Sequence, residues 1–212
     1  MTVYQHPTAL NRALDALRSD LMRFDGPQIS TVRNYNFAIL PYDPEHEFPL
    51  REAIQRLMEE LRDAGWTTGV IPLHSLLLAR LRAQGSEFVE AMIAREKRLA
   101  ASADPWRGLR TLKERVANLI EGPEGLAHDV IVEIERIIRE QPGNLERTVI
   151  LLGRAGALYP FLRTSALLKH LAGRTSNVPI VLLYPGHAVG ETGLSFMGVM
   201  PADRDYRPRI YR

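Results

Sequence analysis

Apolar positions recur along the chain with two different periods, and the alternation between them predicts the fold class. Leu10, Leu14, Leu17 and Leu21 fall on one face of an amphipathic helix, with Thr8 placed as its N-cap and Asp25-Gly26-Pro27 as its end. NYNFAILPY (34–42) is rich in aromatic and branched side chains that suit a pleated strand. Pro44 and Pro49 punctuate the loop that follows. From Pro49 a second helix carries Leu50, Ile54, Leu57, Met58 and Leu61 on one face, and Gly65 ends it. WTTGVIPL (66–73) is the next strand. A strand, helix and strand in succession require two parallel strands and a right-handed crossover.

From 74 to 140 the pattern is helical only, with segments at 74–82, 87–99, 109–120 and 126–139. Breaks fall at Gln84-Gly85-Ser86, Asp104-Pro105 and the Glu121–Gly125 stretch. This reads as a helical insertion covering a sheet, within one α/β domain spanning 1–212; a small helical subdomain is the alternative. RTVILL (147–152) is then a branched run typical of a strand buried on both faces. Gly153-Arg154-Ala155-Gly156 turns it into a helix from Pro160 to Leu171. VPIVLLY (178–184) and LSFMGV (194–199) are two further strands, and PGHAVGETG between them is too short for a helix, which predicts an antiparallel hairpin. The tail DRDYRPRIYR (203–212) suits an edge strand. The sum is a three-layer α/β fold with a mostly parallel, Rossmann-like or P-loop-like sheet, a helical insertion and a C-terminal hairpin.

Composition narrows the function classes. The chain has 212 residues, 45% hydrophobic and 25% charged, which is ordinary for a globular protein. Cysteine is absent, which excludes disulfides, thiolate-ligated zinc, iron–sulfur clusters and a cysteine nucleophile. Lys+Arg 27 against Asp+Glu 25 leaves +2, too weak a bias to mark a nucleic-acid binder. Basic residues alternate with acids in AREKR (94–98) and EIERIIRE (133–140), the pattern of a solvated helix face. No apolar run reaches the roughly 20 residues of a membrane span, and the amino end lacks the marks of a secretory signal, so a cytoplasmic location is expected.

In open parallel sheets ligands sit outside the carboxyl ends of the strands. Asp43, Glu45, His46 and Glu47 follow the first strand, His74 the second, Arg154 the third, and Gly186 and His187 the fourth. Asp43, His46, His74 and Arg154 are therefore the candidate ligand crevice. A phosphate cradle needs a glycine-rich loop opening a helix, commonly with a lysine. The loop YDPEHEFP has neither glycine nor lysine and carries three acids, and Gly153-Arg154-Ala155-Gly156 lacks a Lys-Ser/Thr pair, so there is no Walker motif. The six histidines show no HxH, HxxxH or HExxH spacing, and no GxSxG or SxxK motif is present. Ser165 and Ser195 read as structural, and His170 as a helix-end residue. No catalytic residue, metal site or cofactor is assigned. A subunit that works by contact needs apolar or aromatic anchors at its surface. Candidates are Trp106, the Tyr159-Pro160-Phe161 turn with Tyr159 and Phe161, and Tyr206, Arg207 and Tyr211 in the tail, which could also stack on bases.

VPIVLLYPGHAVGETGLSFMG (178–198) and YRPRIY (206–211) resemble the closing signature of the BrxB family, small components of bacterial BREX phage-exclusion systems. RNYNFAILPYDPEHEFPLREAI (33–54) and TVILLGRAGALYPFLRTSALLKHL (148–171) extend the similarity over nearly the whole chain. The resemblance implies antiviral defence alongside other products of one operon: PglZ as the expected partner, and with it a large ATPase and a DNA methyltransferase. It carries no established reaction and no active-site residues. The expected role is a non-enzymatic adaptor or assembly subunit. The alternatives are a nucleotide- or metal-dependent enzyme at the strand ends and a DNA-binding accessory protein.

Overall fold

Branched apolar runs become strands here because both of their faces are covered. The computed structural model describes residues 9–24, 26–30, 35–101, 104, 106–140, 145–190, 193–203 and 207–212. Among these lie strands β1 (Phe37–Tyr42), β2 (Thr67–Pro72), β3 (Thr148–Gly153), β4 (Ile180–Val189), β5 (Gly193–Phe196) and β6 (Arg209–Ile210). The helices are α1 (Ala9–Leu21), α2 (Glu47–Asp63), α3 (Leu73–Arg82), α4 (Ser86–Ala100), α5 (Trp106–Ile120), α6 (Leu126–Glu140) and α7 (Thr164–Leu171). The sheet runs β2-β3-β4-β1-β6 with all four of its pairings parallel, and β5 pairs antiparallel with the extended end of β4.

Strand pleating divides the core into two. Phe37, Ile39, Ile150, Leu152, Ile180, Leu182 and Tyr184 point to one side, where they meet buried residues of α3, α5, α6 and α7. Ala38, Leu40, Tyr42, Val149, Leu151, Val181 and Leu183 point to the other, against α1 and α2. The fold is thus three-layered, helices–sheet–helices, with a mostly parallel Rossmann-like sheet. Its C-terminal hairpin is the β4–β5 pair, with Gly186 opposite Phe196 and Val189 opposite Gly193. No described helix is long and apolar enough to cross a membrane.

The first strand–helix–strand unit has parallel strands as expected, and β3 and β4 lie between them. Three local expectations change. The acidic segment after β1 is not a loop: a short 3₁₀ turn (Pro44–His46) runs directly into α2, which starts at Glu47. After β3 comes another 3₁₀ turn (Ala155–Leu158), and the helix begins at Thr164 instead of Pro160. β4 continues through Val189, so half of PGHAVGETG is strand. Gly186 makes this continuation close: a Cβ there would stand 2.1 Å from the Ser195 carbonyl oxygen. Thr8 and Asp25 lie outside the described residues.

Candidate functional site

The carboxyl edge of the sheet is assembled from the residues that follow β1, β2 and β3. The chain leaves β1 for α2 on one face and leaves β3 for α7 on the other, and a crevice forms where such departures diverge. Asp43 sets the first departure, its Oδ1 accepting from the Glu45 backbone N–H at 3.0 Å and capping the 3₁₀ turn. That turn delivers Glu47 to the start of α2. There its carboxylate accepts from the Tyr42 hydroxyl and from Arg51 Nε at 3.2 Å, and forms an ion pair with Arg154 Nη1 at 3.3 Å. Burial, then the hydrogen bond to Glu47, raises the Tyr42 pKa far above a free phenol's, so the hydroxyl stays protonated and donates. Arg154 crosses from β3 to reach Glu47 in a left-handed conformation (φ 60°, ψ 32°), which costs a non-glycine residue on the order of 1 kcal/mol.

The four predicted crevice residues do not converge. Asp43 and His46 line a cleft of about 350 Å³ with His187, Ala188, Tyr211 and Arg212. His74 and Arg154 line a separate cleft of about 250 Å³ with Glu47, Gly156 and Ala157. The start of α2 stands between them, with Glu47 facing one cleft and His46 the other. Among the described residues, no group of three or more His, Asp or Glu is arranged to hold a metal ion. Arg154, the residue best placed to grip an anion, is held by Glu47 instead. Sequence reading placed Glu47 after the first strand without singling it out, because nothing local links positions 47 and 154.

The predicted contact residues differ widely in exposure. Trp106 opens α5 with its indole 69% exposed, and its backbone N–H donates to Asp104 Oδ1 at 3.1 Å. Tyr159 is 39% exposed, its ring centroid 6.3 Å from that of Phe196, while Phe161 packs half-buried against the core. Tyr211 is only 3% exposed: it belongs to the core beside α1 and α2, and its hydroxyl donates to Asp20 Oδ2 at 3.0 Å. Its ring is buried apart from the part that lines the larger cleft. Tyr206 lies outside the described residues. Arg207 is exposed, but Arg209 pairs with Asp20 at 2.8 Å and Arg212 donates to the Gly190 carbonyl at 2.9 Å. Much of the tail's positive charge is spent within the molecule. The two serines are also tied down, Ser165 to the Asp203 carboxylate and Ser195 to the Met200 carbonyl at 2.8 Å.

One surface escaped sequence reading. α4 has no buried residue, and its Val89, Met92 and Ile93 line an apolar groove of about 250 Å³ with Leu81 of α3 and Leu112 of α5. Ile93 is 49% exposed. The stripe is visible in the spacing of these residues, but spacing alone does not tell a covered stripe from an open one.

Residues 70–210 match the family model described as BREX protein BrxB. No curated protein and no solved structure matches the chain.

Proposed function

We propose, from the premise that this chain belongs to the BrxB family of BREX proteins, that it is a non-enzymatic adaptor holding other BREX components together. Membership itself makes it a component of a BREX defence system, associated with other components of that system. The adaptor role goes further, and the observation that carries it is the open apolar face of α4. An amphipathic helix gains most of its stability by burying its apolar stripe, and this one leaves Ile93 in water. Met92 and Ile93 sit one helical turn on from Val89, so the three share one face of α4, and Lys97 and Glu96 supply a polar rim. PglZ is the occupant to which this reading commits, with the BREX ATPase and methyltransferase as further contacts, and Trp106 and Tyr159 are exposed aromatic anchors available to them. Direct DNA contact is not favoured, because Arg209 and Arg212 are engaged internally. The working site is the cytoplasm, where the operon's other products act, and the chain acts as one α/β unit with α3–α6 as its insertion.

Affinity capture from cells expressing the whole operon tests this. The tagged chain should retain PglZ, and Ile93→Glu or Val89→Glu should lose it with no drop in melting temperature. Failure to retain any BREX protein would remove the adaptor reading. Retention of PglZ by both variants would move the contact off α4.

A further inference from the structure

The smaller cleft at the carboxyl edge combines features that no contact surface requires. It holds about 250 Å³ between Glu47, His74, Arg154, Gly156 and Ala157. Three polar side chains reach it from three separate elements: Glu47 from α2, His74 from α3, and Arg154 from the turn after β3. Two guanidiniums, Arg51 and Arg154, share the single carboxylate of Glu47, which leaves the local balance positive. α3 adds to it. Its N-cap is Pro72, which has no capping side chain, and its first turn carries no acid, so α3 supplies no negative charge of its own to the positive end of its dipole.

His74 supplies a second, independent observation. Its Nδ1 is covered and has no hydrogen-bond partner. The imidazole is thus a polar wall of the cleft that the rest of the chain leaves unsatisfied at one nitrogen. Arg154 is a third: the chain tolerates a left-handed arginine there, and strain of this kind persists where the guanidinium's position matters.

We propose that this cleft binds a small oxyanion, the size of phosphate or a short carboxylate, and that Glu47 is the built-in carboxylate it competes with. The volume lies below the range of roughly 300–1,000 Å³ typical of drug-sized ligands, which argues for a single anionic group and against a nucleotide. Arg154 and the imidazole of His74 hold the oxyanion, beside the N-terminal turn of α3. When the cleft is empty, Glu47 occupies the Arg154 guanidinium. This site is independent of the adaptor reading, since the two share no residue and draw on opposite ends of α3, His74 here and Leu81 in the α4 groove.

Titration calorimetry on the full chain with inorganic phosphate, sulfate and acetate tests the assignment, and the three ions separate tetrahedral from planar preference. At least one should bind saturably at one site per chain. Arg154→Gly should weaken that binding tenfold or more. Because glycine adopts the left-handed conformation freely, this variant keeps the fold, which a thermal melt verifies. His74→Phe should weaken binding several-fold. Glu47→Gln should tighten it several-fold by removing the competing charge, a change that a merely structural Glu47 would not produce. Absence of saturable binding by all three ions to both the natural chain and Glu47→Gln overturns the proposal. Undiminished binding in Arg154→Gly, or no tightening in Glu47→Gln, also overturns it.

Discussion

Tyr42 and Tyr211 each bury a phenol whose hydroxyl donates to a carboxylate, Glu47 in one case and Asp20 in the other. Burial first, and the neighbouring carboxylate second, raises both pKa values well above the ordinary 10.0. A tyrosine raised in the folded chain keeps its proton at a pH where the unfolded chain has released it. The folded state then binds more protons, so this contribution is complete below about pH 10 and is lost as pH rises beyond it. Urea unfolding between pH 8 and 11 should show stability falling above pH 10, by at most about 1.4 kcal/mol per pH unit for each tyrosine. Tyr42→Phe and Tyr211→Phe should each flatten that slope; a slope unchanged in both variants would show that neither phenol is responsible. A backbone constraint sits nearby at Gly186, whose missing Cβ admits the Ser195 carbonyl. Gly186→Ala should force β4 and β5 apart and cost about 2 kcal/mol or more in urea unfolding, a large effect for one methyl group.

Between elements, Arg80 ties three helices through four side-chain hydrogen bonds. Its Nε and Nη2 each donate to Asp129 at 2.7 Å, Nη1 donates to the Leu119 carbonyl at 3.1 Å, and Nη2 also reaches the Gly125 carbonyl at 2.8 Å. One side chain of α3 thus satisfies carbonyls at the end of α5 and in the turn before α6, and pairs with the first turn of α6. Arg80→Met should cost about 1.5–3 kcal/mol in chemical denaturation. Arg80→Lys should recover only part of this, because an ammonium cannot reproduce the planar fork. Nothing in the sequence pairs 80 with 129, whereas the elements joined by that pair were readable. Leu126, Val130, Ile131, Ile134 and Ile137 repeat at helical spacing and are all buried, which is why the bounds of α6 were predicted to within a residue. The turn after β3 misled for a physical reason. Phe161 and Leu162 look helical by spacing, yet Tyr159, in extended conformation, and Pro160 precede them and hold the chain off the helix until Thr164. The site was legible as a place and not as a set of contacts: Asp43, His46, His74 and Arg154 do reach the carboxyl edge, but Glu47 at the head of α2 divides them between two clefts.

At the scale of the whole molecule, strand order was the part that hydrophobic pattern could not fix, since β1 and β4 are equally apolar and each would fit either central place. What selects the order is how the edges are closed. β1 would be left open beyond β4, but the last residues return to it: Ala38 lies opposite Arg209, Ile39 opposite Ile210, and the Tyr211 N–H donates to the Ile39 carbonyl at 2.9 Å. Tyr211 then drops into the core against α1, and Arg209 stacks on its ring at 4.9 Å while pairing with Asp20. The tail is therefore the piece that seals α1 to the sheet, and removing it is no neutral test of DNA binding. Tyr211→Ala opens a ring-sized cavity and should cost about 3–5 kcal/mol, enough to lower the unfolding midpoint sharply. Arg207→Ala changes only an exposed cation and should stay within about 0.5 kcal/mol. Duplex DNA titrated at low and moderate salt against the natural chain and Arg207→Ala then isolates the charge from the fold. If the basic tail reads phosphates, the natural chain binds with steep salt dependence and Arg207→Ala reduces the slope by about one. The internal pairing of Arg209 and Arg212 leads us to expect no salt-sensitive binding by either protein.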